Sequence, residues 1–243
     1  MPATMTLLSQ LGRSIRSLVF YIGFIVIVVI MSTICCVLGF LPFGRLQRIS
    51  MYSNYLVMRW LRITCNINIS VTGQENLPLG PCVILSNHQS TWETFYLQWY
   101  FQPASVILKR ELLWIPLFGW GLRFMRPIAI QRSNPTEAIR QVLLSGKLRL
   151  KEGNSVIVFP EGTRVPAGTL GQFKSGGAAI AKSAGVDIIP VAHDAGSYWL
   201  CGRYTKQPGT IHMHIGPAID TSKESARDLT ETARLWISNQ LHL

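Results

Sequence analysis

The stretch VILSNHQSTWE, from Val83 to Glu93, contains the pattern of a strand, a loop and a helix start. Its first three residues form a short, wholly apolar run, which is typical of a strand buried on both faces. A polar loop follows at once, and Ser90-x-x-Glu93 is a capping box, the pattern of a helix start. A buried strand that passes through a short loop into a helix predicts an α/β protein, with reacting groups where the strand ends.

The same alternation continues along the chain. Val156 to Phe159 is a second continuous apolar run that predicts another buried central strand. Asn134-Pro135 predicts a helix start with proline at the first helical position, and that helix runs to about Lys151. Further predicted elements are strands at 67–71, 106–108, 128–130, 188–191 and 211–215, and a C-terminal amphipathic helix from Ser222 to Leu241. We therefore predict one α/β domain over residues 66–243.

Composition limits the partners that the chain can have. Of its 243 residues, 48% are hydrophobic and 14% are charged, with a net charge of +11, which excludes disordered, collagen-like and coiled-coil proteins. An apolar and basic chain favours an anionic membrane surface or anionic substrates. Nucleic acid is the alternative, although no DNA- or RNA-binding motif is present. The five cysteines lack paired spacing, which predicts free thiols in a reducing compartment.

The N-terminal part, residues 1–65, is predicted to associate with a membrane. Residues 17–44 contain no Asp, Glu, Lys or Arg, and a span needs about 20 apolar residues. A cleaved signal peptide is the alternative, but its apolar region would be only about 7–15 residues long. Pro42 and Gly44 predict a break after this run.

The following segment, residues 45–65, predicts an amphipathic helix at the lipid interface. Its polar residues recur three and four positions apart, so they share one helical face. These are Arg45, Arg48, Tyr52, Tyr55, Arg59 and Arg62. An ordinary solvated helix face is the alternative. More arginines follow the apolar run than precede it, which predicts an inner-membrane protein with its large domain on the cytoplasmic side; a single span and a monotopic hairpin both remain open.

Three motifs follow predicted strands and carry candidate chemistry. His88 and Glu93 have the spacing of a general base and the carboxylate that orients it, although Glu93 may equally only cap the helix. Phe159-Pro-Glu-Gly-Thr-Arg164 offers a glycine, a hydroxyl and an arginine to a phosphate group. Arg132 ends a third strand. His212-x-His214 lacks a third ligand, so no metal is predicted.

Together these motifs resemble the glycerolipid acyltransferase family. The resemblance covers about residues 66–220 and rests on His88 with a carboxylate five residues later, Arg132, the hexapeptide at 159–164 and Ile189-Pro-Val191, in that order. Two positions depart from the family pattern. Glu93 stands where the family usually has aspartate, and Gln131 stands where aspartate often precedes the motif arginine.

The resemblance implies a mixed central sheet flanked by helices and an acyltransferase that needs no cofactor. It implies transfer of an acyl group from acyl-CoA or acyl-carrier protein to the free hydroxyl of lysophosphatidic acid at a membrane. His88 would be the base and Glu93 its orienting partner. The implied phosphate site comprises Lys109, Arg132, Glu161, Gly162, Thr163 and Arg164. An acyltransferase acting on another lysophospholipid or on lyso-ornithine lipid, or a non-catalytic lipid-binding membrane protein, are the alternatives.

Overall fold

A computed structural model describes residues 7–131 and 135–243 of the chain. Within these ranges seven strands form one sheet, flanked by seven α-helices. The strands are β1 (Ile67–Thr72), β2 (Val83–Ser86), β3 (Ala104–Lys109), β4 (Ile128–Ile130), β5 (Ser155–Val158), β6 (Ile188–His193) and β7 (Gly209–Ile215). The helices are α1 (Leu7–Val37), α2 (Phe43–Cys65), α3 (Trp92–Tyr100), α4 (Phe118–Arg123), α5 (Pro135–Lys151), α6 (Gly176–Ala184) and α7 (Ala226–Gln240).

The sheet is mixed, with the order β1-β7-β6-β2-β5-β3-β4. Only the β6–β7 pair is antiparallel; the other neighbouring strands are parallel. All four residues of β2 and of β5 are buried, as their continuous apolar runs predict. Because β2, β5, β3 and β4 run in the same direction, the loops that follow them open at one edge of the sheet. The predicted α/β fold with a mixed central sheet is confirmed.

Two helix boundaries differ from the sequence-based expectation. Helix α7 begins at Ala226 because the Ser225 side chain accepts a hydrogen bond from the N–H of Asp228 and caps the helix there. Helix α1 ends at Val37, and the break occupies residues 38–42, with Pro42 directly before α2. Gly44 therefore lies inside the first turn of α2.

Helices α1 and α2 form an antiparallel hairpin. The indole N–H of Trp60 donates to the carbonyl oxygen of Phe20 at 3.2 Å, and the Cys65 thiol donates to the carbonyl oxygen of Arg16 at 3.8 Å. Helix α1 contains the one candidate membrane span in the described ranges, Ser9–Val37, and only 17% of its most apolar window is buried. Its exposed apolar face consists of Leu11, Ile15, Leu18, Val19, Ile22, Ile25, Val26, Val29, Ile30, Ile34 and Val37.

The hairpin shares a hydrophobic core with the sheet. Phe20 of α1 and Leu61 of α2 belong to the same buried cluster as Ile84 of β2 and Trp92 of α3. The ammonium group of Lys206 also holds α1, because it donates to the Tyr21 hydroxyl at 2.6 Å. Removing residues 1–65 would therefore expose this core, so point substitutions test the role of the hairpin more cleanly than truncation does.

Candidate active site

The two principal motifs lie side by side at the edge where β2 and β5 end. These strands are adjacent in the sheet, so the loop after Ser86 and the loop after Val158 emerge together. A backbone hydrogen bond joins them, from the N–H of Val165 to the carbonyl oxygen of His88 at 2.8 Å. The sheet topology thus brings together segments more than 70 positions apart.

Glu93 contacts His88 and also caps helix α3. Its Oε1 lies 2.8 Å from Nδ1 of His88. The same oxygen accepts the backbone N–H groups of Gln89 and Ser90, at 2.8 and 2.7 Å. The capping contact and the histidine contact, which the sequence presents as alternatives, therefore coexist in one fully buried side chain.

The surroundings of Glu93 favour its charged form. Burial acts to raise the pKa of this carboxyl, but His193, His88 and the N–H of Ser90 outweigh burial and hold the pKa below its ordinary value. A carboxylate at this position can accept the Nδ1–H of His88 and orient the ring. With Nδ1 facing Glu93, Nε2 is the nitrogen of His88 that is available to a ligand.

Phe159 and Glu161 fix the position of His88 from the neighbouring loop. The rings of Phe159 and His88 are stacked, with centroids 4.3 Å apart. The two carboxylate oxygens of Glu161 accept the backbone N–H groups of His88, at 2.7 Å, and of Gly171, at 2.9 Å. Burial raises the pKa of Glu161. Its oxygens thus hold two segments of backbone together, in contrast to the phosphate contact implied by the resemblance.

Arg164 and its neighbours form an exposed polar rim beside His88. Nε of Arg164 donates to the carbonyl oxygen of Ser90 at 2.8 Å, which fixes the guanidinium group next to the His88 loop. Gly162 adopts a φ of +74°, a conformation that favours glycine and turns the chain sharply. Thr163 and Lys109 are exposed beside the same cavity. Arg132 lies outside the described residues, two positions after β4 ends.

A mostly apolar cavity of about 900 Å³ opens beside this rim. His88, Thr163, Arg164 and Lys109 line it together with apolar residues of α1, α3, β3 and the segment before α4. Its volume lies within the range typical of small-molecule sites, about 300–1,000 Å³. A histidine base and a cluster of cations thus border a space suited to a hydrocarbon chain.

Comparisons with known proteins agree with this geometry. A family model described as acyltransferase matches residues 68–194, just over half of the chain. The 1-acyl-sn-glycerol-3-phosphate acyltransferase of Pseudomonas aeruginosa is 42% identical over 234 residues, which cover 94% of this chain and 91% of that protein. The chain belongs to the acyltransferase family. The resemblance recognised from its motifs is therefore confirmed.

One solved structure shares the fold, and a further relative matches part of the sequence. The crystal structure of the 1-acyl-sn-glycerophosphate (LPA) acyltransferase PlsC from Thermotoga maritima superimposes with a TM-score of 0.81 at 24% identity, and the match covers 96% of both chains. A chloroplastic 1-acyl-sn-glycerol-3-phosphate acyltransferase of Brassica napus is 34% identical over 62% of this chain and 44% of its own length.

In this acyltransferase Lys174 is a further candidate at the site that motif reasoning did not assign. A Cβ atom added to Gly162 would lie 3.3 Å from Nζ of Lys174, so the ammonium group sits directly against the hexapeptide turn. The N–H of Lys174 also donates to the carbonyl oxygen of Pro160 at 3.0 Å. Motif spacing gives no indication that the side chain of Lys174 folds back onto Gly162.

Three other histidines contact neighbouring residues. His193 is fully buried, and its Nε2 lies 2.9 Å from the carbonyl oxygen of Asn87. Burial lowers the pKa of His193. His212 contacts Asp194, and His214 contacts Thr72. Among the residues that the structure describes, no group of three potential metal ligands lies together.

Proposed function

We propose that this acyltransferase transfers a fatty acyl group from an acyl thioester, acyl-CoA or acyl-carrier protein, to the free hydroxyl of 1-acylglycerol-3-phosphate, which forms phosphatidic acid. The observation that carries the proposal is His88, whose Nδ1 faces a buried carboxylate and whose ring borders both the cationic rim and the apolar cavity. The activity for which the Pseudomonas relative is named supports this choice of acceptor.

The proposed reaction needs one base and no covalent enzyme intermediate. Nε2 of His88 takes the proton of the acceptor hydroxyl as its oxygen attacks the thioester carbonyl. The new C–O bond forms, the C–S bond breaks, and the imidazolium returns its proton to the leaving thiolate. Glu93 keeps Nδ1 protonated and stabilises the transient imidazolium. The chain has no Gly-x-Ser-x-Gly motif, in keeping with a substrate hydroxyl as the nucleophile.

The polar rim binds the phosphate of the acceptor, and the cavity binds an acyl chain. Arg164 and Lys174, with Lys109 at the end of β3, provide the positive charge for the acceptor phosphate. Gly162 and Thr163 shape the turn that carries Arg164, and we assign Arg132 to the same phosphate by its place in the family motif. An acyl chain occupies the apolar cavity, which ends beside His88.

The acceptor and donor are identified by one assay of the purified protein in phospholipid vesicles. It compares 1-acylglycerol-3-phosphate with other lysophospholipids, lyso-ornithine lipid and monoacylglycerol, each with labelled acyl-CoA or acyl-carrier protein. We expect the highest kcat/KM with 1-acylglycerol-3-phosphate. A preference for another lysolipid would replace the proposed acceptor, and lipid binding without transfer to any acceptor would contradict an enzymatic role.

Substituting Arg164 should weaken acceptor binding selectively. A charge-assisted hydrogen bond contributes about 1.5–3 kcal/mol, so Arg164→Ala should raise the KM for 1-acylglycerol-3-phosphate about 10- to 150-fold. The KM for the acyl donor should change little. Arg227→Ala, an exposed arginine on α7, is the matched control and should leave both constants unchanged. Equal weakening of acceptor and donor would show that Arg164 does not select the phosphate.

We further propose that the hairpin attaches the enzyme to the cytoplasmic face of the inner membrane. The apolar face of α1 is exposed to its surroundings, and the arginine positions predicted for the lipid interface are exposed on α2. Trp114 and Trp120 are exposed around α4, which packs against α1. Tryptophan and arginine are favoured at membrane interfaces. Because α1 packs along α2 and α4, a hairpin lying in one leaflet fits better than a separate span.

Neutralising the arginines of α2 should weaken binding to anionic lipid. Each cation near an anionic surface contributes about 1 kcal/mol, or about fivefold in affinity. Replacing Arg45, Arg48, Arg59 and Arg62 with Gln should therefore reduce binding to anionic vesicles and its salt dependence in a sedimentation assay. Replacing Lys147, Lys151, Lys223 and Arg227 with Gln removes the same charge elsewhere and serves as the control. Identical binding curves for both variants would identify the α2 face as merely solvated.

A further inference from the structure

Two buried carboxamides interrupt the apolar wall of the cavity. Asn54 on α2 and Gln98 on α3 both line it. Their side chains are 1% and 3% exposed, so neither is solvated as an ordinary surface amide would be. Nδ2 of Asn54 lies 3.5 Å from Oε1 of Gln98, at the limit of a hydrogen bond. They form a polar pair in the wall of a cavity whose lining is mostly apolar away from the cationic rim and His88.

The pair retains one acceptor and one donor without a partner. Oδ1 of Asn54 and Nε2 of Gln98 make no hydrogen bond to any residue that the structure describes. Buried polar groups in native proteins are nearly always satisfied, and an unsatisfied one opposes folding. Both atoms are covered, so the two side chains must turn toward the cavity to meet a ligand. Their lack of a partner, on neighbouring residues that line the cavity, indicates a polar group that enters with the ligand.

We propose that Asn54 and Gln98 form a subsite for a hydroxyl group on the acyl chain that occupies the cavity. A hydroxyl oxygen can accept from Nε2 of Gln98 while its hydrogen is donated to Oδ1 of Asn54. A keto oxygen could satisfy only the donor, and a plain methylene group could satisfy neither. The subsite rests on the proposed function, because the chain is either the acyl group being transferred or the one already on the acceptor.

The subsite lies at a defined depth in the cavity. Thr91 precedes α3 and lines the cavity together with Thr94, Phe95 and Gln98 of that helix, which begins just after the His88 loop. Seven residues separate Thr91 from Gln98, a rise of about 10 Å along the helix axis. The hydroxyl should consequently be recognised well inside the chain and at a narrow range of carbon positions.

The test uses the full-length protein in vesicles with lipids of equal chain length that carry no hydroxyl or one hydroxyl at successive carbons. One arm varies the chain of 1-acylglycerol-3-phosphate, and the other varies the chain of the acyl-CoA. Binding of the lysolipid and of a non-reactive acyl thioester analogue is measured beside kcat/KM. The binding measurements test the hydroxyl subsite even if no transfer occurs. Absence of transfer with every chain would contradict the proposed function but not the subsite.

The variants are Asn54→Leu and Gln98→Met, which keep the shape of each side chain and remove its amide. Gln47→Met is the matched control, because Gln47 is also buried with an unpaired Nε2 but does not line the cavity. We expect the wild type to favour one hydroxyl position over the plain chain about 5- to 150-fold in one arm. This ratio should fall to about 1 in both cavity variants and persist in the control.

Other outcomes overturn the subsite. Equal affinity for plain chains and for every hydroxylated chain would contradict it, and would indicate that the pair holds only water. A preference that survives both cavity variants would place hydroxyl recognition elsewhere. A preference lost equally in Gln47→Met would trace the effect to the packing of α2 rather than to the two amides.

Discussion

Replacing His88 with alanine should abolish acyl transfer while leaving the protein folded. The variant removes the only group that the proposed reaction uses to accept the hydroxyl proton, and general-base catalysis contributes about 10² to 10⁴ in rate. We expect kcat to fall by about that factor, with the KM for the acceptor nearly unchanged, since Arg164 and the cavity remain. Transfer of labelled acyl groups and the thermal unfolding midpoint would be measured on the same preparation.

The His88 result is interpreted against His212→Ala. His212 is an exposed histidine outside the cavity lining, in contact with Asp194. This control should keep its activity and should unfold at a temperature close to that of the wild type. Retention of more than about a tenth of wild-type kcat by His88→Ala would contradict the assignment of His88 as the base.

Two substitutions of Glu93 should distinguish the effect of its contact with His88 from the effect of its helix cap. In Glu93→Gln the amide oxygen can still accept the N–H groups of Gln89 and Ser90, but the negative charge beside Nδ1 of His88 is lost. We expect kcat to fall about 10²-fold or more, with little loss of stability. Glu93→Ala removes the cap as well, so its unfolding free energy should also drop, by about 1 kcal/mol or more.

Glu93→Asp, which keeps a carboxylate on a shorter side chain, is the control for Glu93→Ala. Glu93→Asp should retain more activity than Glu93→Ala, because a negative charge survives near His88, and aspartate is the usual residue of the family motif at this position. If Glu93→Gln and Glu93→Ala reduce only the unfolding midpoint and leave kcat intact, Glu93 serves the helix alone and His88 acts without an orienting carboxylate.

Local sequence patterns predicted the strands, and they presented the histidine–glutamate contact as one of two alternatives. The apolar runs before His88 and after Ser155 predict buried strands because burial on both faces leaves no room for alternation. The five-residue spacing to Glu93 predicts the contact because a short loop and one helical turn fix the reach of the side chain. Motif order then identifies the family.

Contacts between residues far apart in the sequence could not be predicted from local patterns. Lys174 lies close to Gly162 because of the path of the loop between them, and no local sequence pattern predicts that path. Asn54 and Gln98 are in contact because α2 packs on α3. In the sequence, each is indistinguishable from an ordinary polar residue on a helix surface. Likewise, the apolar run of α1 predicts a membrane helix, but its packing on α2 depends on close approach of Trp60 to Gly23.

In the proposed reaction His88 acts only as a base, and the acyl group passes directly from the thioester to the hydroxyl of 1-acylglycerol-3-phosphate. This reaction is tested most directly by mixing purified protein with that lipid and a labelled acyl thioester, then following label in phosphatidic acid and on the protein. We predict label in phosphatidic acid with the wild type, labelling that is about 10²- to 10⁴-fold slower with His88→Ala, and no label on the protein at any time. Label accumulating on the protein before product, or equal product formation by His88→Ala, would contradict it.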